Sequence, residues 1–425
     1  MYRAVTFENA INFAHDLVRI PSISGDEGAA AERVMSEFKL LRFDETWTDE
    51  MGNVFARLKG RENGPAILFS SHLDVVPAGE PSEWEYPPFD GSIADGYLHG
   101  RGAVDCKGPL ALQTYAAASL RESRPAGDVY VVQTVMEECG SWGMEYAMQQ
   151  LSDRVAAVVL GEATQGGICV GHRGRIELMI TIRGTSAHAS APQRAHNPTQ
   201  LLPAVLAALE DFAEQLPSHH RLPRSTVVPT IIETWPRSRN MVPEEVRIFV
   251  DWRTLPLDWE HSTVGGIQCF LQSNLQGALL EAENLRVSVQ EVSTKQRAYT
   301  GWERSMPIST HGFLMDESHP VVEAAVQAVS DVTGHRPKVS PWIFGTDGGY
   351  PCAVHGIPTI GYAPGDESYS HSNRERLDLK AAQIAYQVYP ALIRQMQQAL
   401  AGDALVESHA AGSKDHLFMR RLRRQ

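Results

Sequence analysis

Apolar positions recur at helical spacing over residues 7–19 and 26–38, which predicts two helices, the second opened by Ser24-Gly25-Asp26-Glu27. Short apolar runs rich in β-branched residues follow at 67–76, 128–136 and 155–162, and these read as buried strands, with a helix at 107–121. Buried strands alternating with helices imply an α/β fold, a mostly parallel mixed sheet with helices on both faces. The pattern then changes. Strands are predicted at 176–184, 225–235, 245–254 and 285–292, with helices at 198–215 and 259–277. That order is β-α-β-β-α-β, an α+β unit with a small four-stranded antiparallel sheet and two helices on one face. After about residue 295 the first pattern returns, with a helix at 319–332, a strand at 357–362 and a closing helix at 379–400. The expected organisation is a discontinuous domain of residues 1–174 and 295–400, an inserted domain of 175–294, and a disordered or peripheral tail of 401–425 ending in a basic run.

A chain of 425 residues is long for one core, which agrees with two domains. The formal net charge of -13 speaks against nucleic-acid binding, which needs a basic face. Part of the acidic excess can be metal ligands, whose charge bound cations would offset. The cysteines are Cys106, Cys139, Cys169, Cys269 and Cys352, an odd and scattered set that reads as a reducing compartment. With no long apolar run and no secretion-type opening, the sequence reads as a cytoplasmic enzyme that does not enter a membrane.

The chemistry gathers at predicted strand ends. His72 and Asp74 are two apart at the end of a strand and project to one side. A metal-bound histidine commonly gives its second ring N–H to a carboxylate such as Asp74, whereas a chance neighbour is the plain alternative. Asp105 stands in a glycine-rich loop before the helix at 107–121, either as a carboxylate bridging two cations or as a helix cap. Glu137 and Glu138 follow the strand at 128–136, and adjacent acids there are costly unless a cation meets them. One can bind metal while the other takes a proton from water. Glu162 ends the strand at 155–162, and His371 precedes the last helix. Oxygen and imidazole donors without thiolate suit a catalytic zinc site, and paired metals of this kind sit roughly 3.5–4 Å apart.

His72 to Pro77, Gly100 to Gly108, Met136 to Gly140, Gly161 to Thr164 and Ser370 to Ser372, in that order, resemble the M20 metallopeptidase family. The resemblance implies a zinc-peptidase catalytic domain with an inserted lid. It implies two divalent ions, zinc first and cobalt or manganese as alternatives. His72, Asp105 and Glu162 would hold one, and Asp105, Glu138 and His371 the other. Glu137 matches the general base acting on a metal-bridging water, and Asp74 the residue that orients His72. A cis peptide bond is expected between Asp105 and Cys106. His188, in Gly184 to Pro192, matches a lid histidine that assists the oxyanion from the partner of a homodimer. Asn240 and Arg253 match substrate contacts, the arginine meeting a carboxylate. Thr346, Asp347 and Gly348 match a loop beside the substrate. Two departures stand out. Ala163 replaces a usual proline, and Arg374 replaces a usual asparagine.

The reading is a di-zinc hydrolase of an amide bond in a small N-acyl amino acid or short peptide with a free carboxylate. An aminopeptidase or carboxypeptidase stays open, as does a non-catalytic, metal-binding dimeric scaffold. Retention of Glu137 argues against the scaffold, which has no need of a base.

Overall fold

The computed structural model describes residues 3–256, 264–281 and 284–410. Helix α1 (Phe7–Val18) is capped by the Thr6 hydroxyl, which accepts from the Asn9 N–H, and it buries Ala10, Phe13, Ala14 and Leu17 on one stripe. Helix α2 covers Gly28–Leu40, two residues later than predicted. Ser24 does not cap it, because the Ser24 hydroxyl is spent on Asp74. Strands β1 (Glu45–Thr48), β2 (Val54–Leu58), β3 (Gly64–His72), β4 (Gly127–Thr134), β5 (Ala157–Leu160) and β6 (Ile168–Cys169) follow, with helices α3 (Lys107–Ser119) and α4 (Trp142–Leu151) among them. The inserted segment supplies β7 (Gly174–Arg183), α5 (Leu202–Gln215), β8 (Thr226–Trp235), β9 (Glu245–Thr254), α6 (Val264–Asn274), α7 (Gln276–Glu281) and β10 (Arg286–Glu291). The chain then returns through α8 (Pro320–Thr333), β11 (Val339–Ser340), β12 (Thr359–Gly361) and α9 (Leu379–Ala410).

The larger sheet has eight strands in the order β1-β2-β4-β3-β5-β12-β6-β11. Its centre, β4-β3-β5-β12, is parallel, and β1 and β2 form an antiparallel edge. Strand β3 is buried along its carboxyl half, with α3 and α9 packed against it. The smaller sheet runs β8-β9-β7-β10, antiparallel throughout, and a short fifth strand, Ser309–Thr310, also pairs with β7. The β-α-β-β-α-β order is present. Burial alternates along β7 and β9, so Ile176, Leu178, Ile180, Val246, Ile248, Val250 and Trp252 face a core separate from that of the larger sheet.

Some elements differ from expectation. The helix predicted at 259–277 is described from Val264 onward, and residues 259–263 lie outside the described residues. The closing helix runs to Ala410 rather than 400, and residues 411–425 of the tail lie outside the described residues. Beyond the inserted sheet, Ser293–Arg297 pairs with Glu303–Pro307 as a hairpin the apolar pattern does not announce, because its sequence is largely polar.

Candidate metal centre and active-site cleft

Parallel neighbours β4, β3 and β5 end side by side, with His72 in register with Thr134 and Ser70 with Leu160. Ligands in α/β sheets gather beyond such carboxyl ends. His72 is the last residue of β3, Glu137 and Glu138 lie in the loop after β4, and Glu162 lies just after β5. Gly161 is needed for this convergence, since a Cβ there would come 2.1 Å from the Ser71 hydroxyl oxygen.

Asp105 is the centre of the arrangement. Its Oδ1 lies 2.8 Å from His72 Nε2, and its Oδ2 lies 3.2 Å from His371 Nε2. Glu162 Oε1 is 3.5 Å from His72 Nε2, and Glu138 Oε1 is 2.9 Å from His371 Nε2. Two groups of potential ligands therefore share Asp105, and within each the donor atoms lie within 4.8 Å of one another. The donor set suits hard or borderline divalent cations. Asp105 does not cap α3, whose N-cap position is Cys106, and the Asp105–Cys106 bond is cis. The first group also contains the buried Cys106 thiol, which donates to the Gly161 carbonyl at 3.3 Å. The sequence reading passed over Cys106, because scattered cysteines gave no ligand spacing.

The electrostatics favour positive charge here. Hydrogen bonds to Asp105 and Glu138 push His371 up to about 10. Burial, and then the Asp105 charge, push Glu162 up to about 8 despite the nearby His72. Burial also lifts Glu137 well above the usual carboxylate range. Glu162 and Glu137 are groups that a cation would relieve.

Supporting residues fix this geometry. The Asp74 carboxylate accepts the N–H groups of Glu137 and Glu138 at 3.0 and 3.1 Å and the Ser24 hydroxyl at 2.7 Å. His72 Nδ1 meets the Asp74 main-chain carbonyl at 2.9 Å, with the Asp74 carboxylate at 3.6 Å. Glu27 Oε1 accepts the Met136 N–H at 3.2 Å, which helps hold Met136 at a φ of +57°. The buried Glu375 accepts from the Val104 and Asp105 N–H groups at 3.0 and 3.1 Å and from Arg101 Nη1 at 2.5 Å. Arg101 in turn lies over the Trp84 ring. The roles of Glu27 and Arg101 and the tie from Glu375 to Asp105 were missed in sequence, where Glu27 read only as part of a helix opening and only Arg374 drew notice after His371.

The potential ligands open on a cleft of about 680 Å³ lined by Asp105, Glu137, Glu138, Glu162 and His371 together with Arg175, Glu177, Arg253 and Thr310. That volume suits a small molecule or short peptide. Arg253 thus reaches the cleft while its Nε donates to Asp251 at 2.7 Å. Thr346, Asp347 and Gly348 do not line it. They are buried, with Asp347 accepting the Thr134 hydroxyl at 2.7 Å and pushed up to about 6 by burial. His188 and Asn240 sit together on the inserted segment, where the Ala189 N–H donates to the Asn240 carbonyl at 2.9 Å. Neither lines the cleft, and His188 is exposed. Arg374 lies in a neighbouring recess with Trp84, Tyr86 and His99.

Comparison with known proteins agrees with the geometry. The model of Peptidase family M20/M25/M40 matches residues 68–395. The chain is 29% identical over 368 residues to the Escherichia coli (strain K12) protein YgeY, covering 86% of this chain and 88% of that one. It is 30% identical over 351 residues to succinyl-diaminopimelate desuccinylase of Bradyrhizobium sp. (strain ORS 278), covering 78% and 85%. In fold it resembles the Bacillus subtilis YXEP protein, described as a dinuclear metal-binding peptidase of the M20 family, with a TM-score of 0.68 and 18% identity over 92% of this chain and 98% of that one. With a family match over most of its length and the strand-end cluster such hydrolases require, the chain belongs to Peptidase family M20/M25/M40 and is an enzyme of the metallohydrolase type.

Proposed function

We propose that this enzyme hydrolyses an amide bond in a small N-acyl amino acid or short peptide. The observation that carries the proposal is the placement of Asp105, whose two oxygens address His72 and His371 at 2.8 and 3.2 Å. His72, Asp105 and Glu162 would hold one divalent ion, and Asp105, Glu138 and His371 the other, zinc being the first choice and cobalt or manganese the alternatives. Bound there, such ions lower the pKa of water and polarise a carbonyl.

Glu137 then takes a proton from water and hands it to the departing amine, a role open to a carboxylate that lines the cleft beside Glu138 and Glu162. Asp74 positions both Glu137 and His72. Arg253 meets the substrate carboxylate. Thr346, Asp347 and Gly348 act from beneath the cleft floor rather than by touching substrate. His188 and Asn240 serve the cleft of a second copy in a homodimer built on the inserted sheet. Its edge strand β8 exposes Val228, Ile231, Ile232 and Trp235, apolar side chains suited to burial against a partner. The five free thiols accord with a reducing, cytoplasmic setting. Nothing in the reading calls for nucleic acid, and no described helix is long and apolar enough to cross a membrane.

A peptidase acting from the amino end is the second reading, since the carboxylates of Glu177 and Glu367 also line the cleft and would meet a free amine. The test is hydrolysis by zinc-reconstituted protein of a panel of N-acetyl, N-succinyl and N-formyl amino acids and simple dipeptides. Turnover that chelation removes and zinc or cobalt restores supports the proposal. Dipeptides cut only when their amino group is free would favour the second reading. Full activity in metal-free protein would overturn both.

A further inference from the structure

The helix-covered face of the inserted sheet carries its core, and the opposite face carries a group of paired charges on β7 and β9. On that second face Arg175 of β7 stands directly opposite Arg253 of β9, and Glu177 stands opposite Asp251. Like charges opposed across an antiparallel pair are unfavourable. The two guanidinium groups are held together by Asp251, which accepts Arg175 Nε at 2.8 Å and Arg253 Nε at 2.7 Å, and Glu177 accepts Arg175 Nη2 at 3.1 Å. Both arginines are about one-third exposed, at 35% and 38%. Ion pairs so exposed contribute little stability, so folding alone does not repay the juxtaposition.

The hydrogen bonds have a direction. Asp251 and Glu177 engage Nε and Nη2 of the two arginines, and no hydrogen bond among the described residues engages Nη1 of either. Each guanidinium is thereby fixed from one side, with its Nη1 end left for another acceptor. Both residues line the same cleft as Glu137 and His371, with Thr310 paired to Arg175 in the sheet. Two preorganised forks converging on one cleft fit a carboxylate.

We propose that Arg175 and Arg253 form a two-guanidinium clamp for a substrate carboxylate, with Arg175 a specificity-determining residue and Asp251 the post that positions both. The inference rests on the amide-hydrolase reading and narrows it to substrates that carry an anionic group at that end.

The experiment uses zinc-loaded full-length protein and compares N-acetyl and N-succinyl amino acids and simple dipeptides with their C-terminal carboxamides. Wild type is expected to favour the acid. Arg175→Met is expected to raise KM for the acid about 10-fold, the size of one charge-assisted hydrogen bond. It leaves kcat and the carboxamide nearly unchanged, and Arg175→Lys recovers part of the loss. Calorimetric binding of the same acid and carboxamide to a Glu137→Gln background reads the clamp without turnover. Equal weakening of acid and carboxamide by Arg175→Met, no weakening of either, or no binding of any acid overturns the clamp. Selective acid binding without hydrolysis by wild type keeps the clamp and sinks the hydrolase reading.

Discussion

The carboxylate of Asp74 accepts the main-chain N–H of Glu137 at 3.0 Å. Its second oxygen accepts the Glu138 N–H at 3.1 Å, and the Asp74 carbonyl faces His72 Nδ1 at 2.9 Å. One residue therefore ties the loop after β4 to the end of β3, on which the ligands depend. Asp74→Asn replaces one acceptor oxygen with an NH₂ that must face an N–H. Metal affinity, read by competition with a chelating dye, is expected to fall by about 10–100-fold, as for other residues that support metal ligands. Wild-type affinity for both metal equivalents would remove Asp74 from this role.

Glu137 approaches no ligand partner as closely as Glu138 approaches His371, yet it lines the same cleft. Glu137→Gln keeps the shape and removes the base. Its kcat is expected to fall by at least ~10²-fold, the lower end of general acid–base contributions. Elemental analysis is expected to find the wild-type metal content. A variant that loses metal as well would make Glu137 a ligand, and one with near-normal kcat would free it from the chemistry.

The candidate ligand set was legible because each member ends a buried strand or precedes a helix, where an apolar run fixes both position and direction. His72, Glu138 and Glu162 are of this kind, and β9 was bounded to the residue, Glu245–Thr254. Less legible was anything set by contacts remote in sequence. Ser24 looked like a helix opening but binds Asp74, fifty positions away, and Glu375 reaches Asp105 across 270. No local period encodes such pairs. Edge strand β1 and the polar hairpin after β10 escaped because little apolar surface marks them, and β2, though buried, is only five residues long. The loop at Thr346 to Gly348 was expected beside the substrate, and its burial depends on packing that sequence pattern does not carry.

His172 gives a stability handle outside the ligand set. It is fully buried, its Nδ1 faces the Arg173 carbonyl at 2.9 Å, and its Nε2 accepts the Thr346 N–H at 3.1 Å. Burial pushes it down to about 4. The folded pKa lies below the unfolded value near 6.5, so the unfolded chain binds this proton first. The contribution is complete above about pH 6.5 and is lost as pH falls toward 4, amounting to ~3 kcal/mol. His172→Gln still offers an acceptor to Thr346. Denaturant unfolding across pH 4–7 is expected to show a shallower acid slope in the variant, and identical slopes would refute the assignment.

Arg101 and Glu375 form a buried ion pair beneath the Asp105 loop. Arg101→Ala would leave Glu375 uncompensated, and loss of one partner of a buried pair typically costs about 3–5 kcal/mol. Thermal unfolding is expected to show that loss together with weaker metal binding, because the N–H groups of Val104 and Asp105 rest on the same carboxylate. A drop in stability with unchanged metal affinity would separate the ion pair from the site.

His188 poses the sharpest question, since it is exposed and absent from the cleft of its own chain. Ser190 contacts its Nδ1 through both hydroxyl and N–H, at 2.7 and 3.1 Å, which holds the ring and leaves Nε2 without a hydrogen bond among the described residues. If a second copy receives that nitrogen, the defects of His188→Ala and Glu137→Ala lie in different halves of one composite site. Each homodimer is then inactive. After equimolar mixing and subunit exchange, half the dimers are mixed and each holds one complete site, so activity is expected to recover to about a quarter of wild type. Recovery of that size, tracking the mixed dimer on sedimentation, places His188 in the partner's cleft. If the mixture stays silent although mixed dimers form, His188 serves its own chain after closure of the inserted domain, and the composite site is wrong.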